Sequence, residues 1–203
     1  GLEYFVPNIQ IPDSVNAKAF QLLPGLTARL QRSGSWGSFK IAGIVPILSG
    51  RNETNDLVVR AGWGISSSAV INTWLNGKWF TQVVAGRAIS QFVNNLSDHG
   101  SDVLIESSTQ LVLPLSVGGF VTYEHDWTPE LYSNLTFGLV QTEKTDFQDE
   151  DTYLRGYSVD FNTFWNVVEG ARIGMEVIWG TRVNYDLSSG KGVRVNMLVY
   201  YDF

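Results

Sequence analysis

Six basic residues, Arg29, Lys40, Arg60, Arg172, Arg182 and Arg194, sit in segments where apolar and polar residues alternate, each on the polar parity of its segment. The carboxylates Glu124, Asp160, Glu176 and Asp202 share that parity. Successive side chains of an extended chain point to opposite faces, so this spacing gathers the charges on one face and the aliphatic and aromatic residues on the other. A guanidinium on such a face can hold a carboxylate in a bidentate fork, and several together lower the electrostatic barrier to an anion. The same arginines could instead pair with Asp160 and Glu176 to hold a packed interior together. Arg87 belongs to a segment that is apolar on both faces and is assigned to neither.

Other chemistries find little support. The 203 residues include no Cys, which removes disulfides, thiolate metal sites and cysteine nucleophiles. Two histidines cannot build a histidine metal cluster, and no metal or cofactor is expected. A hydrolase would need a Ser aligned with a His and an orienting Asn or Asp, but His99 falls in a link and His125 beside a turn, so no catalytic residue is assigned. A net charge of -6 argues against nucleic acid, which demands a basic patch. The tripeptides N-E-T, N-L-S and N-L-T look like glycosylation acceptors, a short pattern that assigns no role on its own.

The elements that must position these charges are strands. Alternation runs through Leu22–Arg32, Phe39–Leu48, Leu57–Trp74, Lys78–Ser90, Leu111–Tyr123, Leu131–Thr142, Leu154–Asn166, Ala171–Asn184 and Lys191–Phe203, nine complete strands in all. Most run to roughly 10 to 14 residues, longer than a soluble strand and suited to a tilted crossing of lipid. Short turns at 33–37, 75–78, 127–130 and 167–170 alternate with longer polar links at 49–56, 91–109, 143–153 and 185–190. The links carry many of the acids, among them Asp98, Asp102, Glu106, Glu143, Asp146, Asp149, Glu150 and Asp151. Segregation of connection length by end is the habit of outer-membrane barrels. Trp36, Trp74, Trp79, Trp127 and Trp165 all lie near the short turns, as an interfacial belt requires.

The expectation is therefore a single all-β domain over 1–203, an antiparallel up-and-down transmembrane β-barrel. Only 17% of residues are charged while 13% are aromatic, in keeping with a lipid-facing surface, and no run of 18 apolar residues offers a transmembrane helix. Residues 1–4 read as the end of a further strand leading into a loop over 5–20, so closure is expected to need chain outside this sequence or a partner copy. A soluble β-sandwich or lipocalin-like calyx is the alternative fold.

Several stretches give a closer resemblance: L-E-Y at 2–4, L-P-G-L-T-A-R-L at 23–30, W-G-S-F-K-I-A-G-I at 36–44, G-W-G-I-S at 62–66, G-R-A-I-S at 86–90, H-D-W-T-P-E-L-Y-S-N-L-T-F-G at 125–138 and G-M-E-V-I-W-G-T-R at 174–182, before the terminal Y-D-F. In order and spacing the chain resembles the C-terminal portion of the DcaP-like trimeric porins of Gram-negative outer membranes. The resemblance implies a barrel of about sixteen strands, a homotrimer, a bacterial outer-membrane location, and passive diffusion of small organic acids such as dicarboxylates and aromatic carboxylates. It also implies contact with outer-membrane lipid and lipopolysaccharide. Thr181 departs from relatives, which tend to carry a second basic residue there. Arg29, Lys40, Arg60, Arg172, Arg182, Arg194, Glu176 and Asp160 are the expected lumen residues. A non-conducting structural or assembly barrel is the other functional alternative.

Overall fold

A computed structural model of the chain describes residues 1–4, 9–10, 18–20, 23–51, 57–74, 76–93, 96, 102–107, 110–145 and 148–202. The strands among them are β1 (Leu2–Glu3), β2 (Ile9–Gln10), β3 (Lys18–Phe20), β4 (Gly25–Gly34), β5 (Gly37–Val45), β6 (Ile47–Arg51), β7 (Leu57–Ala61) and β8 (Trp63–Asn72). They continue with β9 (Gly77–Arg87), β10 (Val103–Ser107), β11 (Gln110–Val112), β12 (Leu115–Asp126), β13 (Leu131–Thr142), β14 (Tyr153–Val168), β15 (Ala171–Asn184) and β16 (Ser189–Tyr201).

Ten of these form one antiparallel sheet in the order β1-β4-β5-β8-β9-β12-β13-β14-β15-β16, so the wall is an up-and-down meander as the alternation implied. Among the described residues no ladder joins β1 to β16. A 12-residue strand such as β12 or β13 is roughly 40 Å long, which at a barrel tilt of about 40° spans roughly 30 Å, a hydrocarbon thickness. No helix of the described residues is long and apolar enough to cross a membrane. The short turns lie where expected. At the one joining β14 to β15, Gly170 takes φ 78, and a Cβ there would stand 2.8 Å from Asp202 O.

Three expectations are corrected. The strands over Phe39–Leu48 and Leu57–Trp74 both break, because Pro46 has no N–H to give the ladder and Gly62 N donates to Pro46 O at 2.8 Å instead. Beyond the break β6 pairs with β7 on one side and with β3 on the other, in a separate three-stranded sheet. Pro114 likewise separates β11 from β12, and β11 pairs with β10, which lies parallel to β2. Second, the link at 185–190 is a tight turn: β15 and β16 pair as far as Val183 with Ser189, and Asn184 N donates to Ser188 O at 2.9 Å. Third, the segment after β9 is more than a polar outer link. Ala88 adopts φ 61, turning the chain off the wall, and Ile89, Ser90, Val93 and Leu96 are all buried. His99 and Phe203 lie outside the described residues.

The packed core is accordingly small. Val93 and Leu96 cluster with Val140 and Tyr153, with Val84 against them. The opposite face of the sheet leaves its large apolar side chains in the open, Met197 at 86% exposure and Ile173, Val177, Phe161, Phe137 and Leu135 among them. That pattern inverts a soluble protein's and suits a lipid solvent. A soluble sandwich would bury this face against a second sheet.

Candidate functional site on the polar face of the wall

Residues paired across an antiparallel ladder share a face. The register therefore follows one row of polar side chains across seven strands: Asn72, Lys78, Glu124, Asn134, Asn162, Glu176 and Asn196. Their contacts bear this out. Lys78 Nζ lies 3.1 Å from Glu124 Oε1, Asn134 Nδ2 donates to Asn162 Oδ1 at 2.9 Å, and Asn196 Nδ2 donates to Glu176 Oε2 at 2.7 Å. Arg194 Nε donates in turn to Asn196 Oδ1 at 2.8 Å. The same parity places Arg29, Lys40, Asp160, Arg172, Glu176, Arg182 and Arg194 on this face of the ten-stranded sheet. Arg60 does not join them: it lies on β7, opposite Leu48, in the small sheet beyond the Gly62 break.

Arg172 stands near the short turns. Its Nη1 donates to Tyr132 Oη at 3.3 Å, and its guanidinium carbon lies 4.6 Å from the Tyr200 ring centroid and 5.9 Å from that of Phe164. Tyr132 stacks on Phe164 at 5.4 Å. Cation–π contact of this kind fixes a guanidinium while leaving its charge uncompensated. At the other end Arg182 donates to Asn184 Oδ1 at 2.7 Å and to Asp151 O at 3.1 Å, and lies over Tyr153. Among the described residues the ion pairs are Lys78–Glu124 and Arg87–Glu143. Arg172, Arg182 and Arg194 are thus held by neutral groups rather than paired with Asp160 or Glu176.

Arg87, unassigned from sequence, belongs to the rim. Its Nη1 donates to Glu143 Oε2 and to Leu113 O, both at 2.6 Å, while Leu115 N donates to the same carboxylate oxygen at 2.9 Å. Glu143 thereby bridges the interruption at Pro114. Arg87 and that backbone donor hold its carboxyl below the ordinary value of 4.5. Nearby, Tyr185 Oη lies 2.7 Å from Glu143 O and 2.8 Å from Gln148 Oε1, and burial pushes this phenol up.

Two hollows open on the polar face. One, of about 650 Å³, is bordered by Thr27, Arg29, Ser66 and Ile89; the other, of about 500 Å³, by Phe120, Thr136, Ser158 and Asp160. Gln82, Val84 and Phe92 border both. Parity could have found Gln82, Tyr132, Phe164 and Tyr200, which share the parity of the charges. No sequence signal marks Phe92, because its position depends on how the chain folds after Ala88.

No protein-family model and no curated protein matches the sequence. Among solved structures, the crystal structure of the outer membrane channel DcaP of Acinetobacter baumannii is similar at a TM-score of 0.83 and 19% identity, covering 98% of this chain and 56% of that one. The chain thus has the fold of a channel's barrel wall over nearly all its residues, and it spans about half the length of the channel that it matches.

Proposed function

We propose that this chain forms part of the wall of a DcaP-like porin in a bacterial outer membrane, and that it passes small anionic solutes by passive diffusion. The observation that carries the reading is the two-faced sheet: one side exposes Met197, Val199 and Val193, while the other carries Arg29, Lys40, Arg172, Arg182 and Arg194 without an ion pair among the described residues. Uncompensated cations near a low-dielectric wall raise the local concentration of anions, and a fixed guanidinium suits a carboxylate. Dicarboxylates and aromatic acids are the solute class to which the family resemblance points.

The rest of the assembly follows from the same reading. Further strands complete the cylinder beyond the edges at β1 and β16, since unpaired backbone in lipid costs several kcal/mol per group. The apolar face meets outer-membrane lipid, the rim acids lie at the lipopolysaccharide level, and the complete barrels associate as a homotrimer. No catalytic step is assigned. Packing of residues 88–93 and Leu96 onto the polar face favours a second reading, a plugged structural barrel that does not conduct.

Planar-bilayer recordings of the full-length protein separate the two. Glutamate at both Arg172 and Arg194 should move the reversal potential in a salt gradient toward cation selectivity, because nearby fixed charges set the field in a narrow pore. An unchanged reversal potential removes anion selectivity. Correctly folded protein that forms no channels supports the plugged barrel.

A further inference from the structure

The two hollows differ in charge. Arg29 and Glu3 border the larger one, whereas among the described residues Asp160 is the one formally charged residue along the smaller. No described residue donates to Asp160 Oδ1. The register sets Glu176 beside it on the next strand, since Asp160 pairs with Ile178 and Asn162 with Glu176. Arg194 lies opposite Ile178, about 10 Å from Asp160 across two strand spacings, and is turned to Asn196. The smaller hollow is therefore acidic on a wall whose other free charges are mostly basic. Two aromatic rings complete it: Phe120 from β12, and Phe92 from the segment that leaves the wall at Ala88. Both residues keep over 40% of their surface exposed, Phe120 at 41% and Phe92 at 45%.

A carboxylate and aromatic rings that border one hollow are the chemistry that recognises ammonium groups, through charge and ring quadrupoles. A volume of about 500 Å³ accommodates a small amine with an apolar body. We propose that this hollow is a site for organic ammonium groups, with Asp160 as the counter-charge and Phe92 and Phe120 as its sides, and that Phe92 partitions it from the basic hollow at Arg29. The proposal rests on the polar face being the lumen of a conducting channel. It adds to anion passage a separate lane in which a cation lingers.

Benzylammonium is the probe, added as its chloride to single channels of the full-length protein at constant ionic strength. Brief blocks of the current should appear that an equal concentration of potassium does not produce. Asp160→Asn, nearly the same shape, should weaken the block about tenfold, and Phe92→Leu about fivefold. Arg29→Gln should leave it in place while lowering anion selectivity. Heat-modifiable migration on a gel checks that each variant is a folded barrel, and Phe120→Leu replaces any variant that is not, with an expected loss of about fivefold. Conducting channels that benzylammonium does not block, or that it blocks equally after Asp160→Asn, overturn the ammonium site and leave the channel reading standing. Folded protein with no channels overturns both.

Discussion

The polar face of β8, β9 and β12 and that of β14, β15 and β16 follow the same parity and do opposite things. On the first group the inward positions include Gly64 and Gly118, and folded chain lies on top of them. A Cβ at Gly64 would stand 2.7 Å from Ile89 Cγ2, and one at Gly118 would stand 3.3 Å from Val93 Cγ1. On the second group the inward positions carry Asp160, Asn162, Glu176, Arg194 and Asn196; Arg194, Asn196 and Glu176 are linked side chain to side chain, and Arg194 is exposed. A glycine on the inner wall thus has two meanings. At Gly64 it is a seat for another segment; at Gly192, with nothing within 4 Å, it is open space.

The sharpest way to break this contrast is to fill one seat of each kind. Gly64→Leu should push Ile89 off the wall and cost about 3 kcal/mol, the upper range for overpacking, with new protease sensitivity in residues 88–96. Gly192→Leu should leave stability within about 0.5 kcal/mol in the same urea titration. Next in size, Leu96→Ala removes a fully buried side chain from the cluster with Val93, Val140 and Tyr153, and should cost about 2 to 3 kcal/mol without changing ion selectivity.

The smallest effect belongs to the rim. Glu143→Gln should cost about 1 kcal/mol or less, because solvent reaches both partners of the Arg87 pair. Its signature is pH dependence. The folded carboxyl is held below the ordinary value of 4.5, so the contribution is complete above that pH and disappears as pH falls through the lower, folded value. Unfolding followed from pH 6 to about pH 3 should show an acid-induced loss in the parent that Glu143→Gln lacks.

What the sequence revealed and what it hid divide along the same line. Period-two alternation is a local property, so β12 to β16 could be read from residue order alone, and with them the common face of Arg172, Glu176 and Arg194. Proline and glycine at 46, 62 and 114 are equally local, yet alternation continues past Pro46 and Gly62, which let two strands be read through their breaks and carried Arg60 onto the wall. The seat for Ile89, Val93 and Leu96 is different in kind. Ile89, Val93 and Leu96 resemble any apolar residues in a link, and the glycine that receives Ile89 lies on a strand more than twenty positions earlier. Only tertiary contact joins the two. Ala88 gave no warning either, because an alanine at positive φ is indistinguishable in sequence from one in a strand.

Arg172 lies over the Tyr200 ring and is tethered to the Tyr132 hydroxyl. An arginine loose in a conduit sweeps out a space several times its own volume, so the bore available to a solute shrinks and its shape changes from moment to moment. One laid against the masonry offers its charge from a fixed address and leaves the cross-section clear. On the proposed reading of this face as a lumen, a solute crossing there would meet an electrostatic landmark rather than a moving obstacle, and width and attraction would no longer be traded against each other.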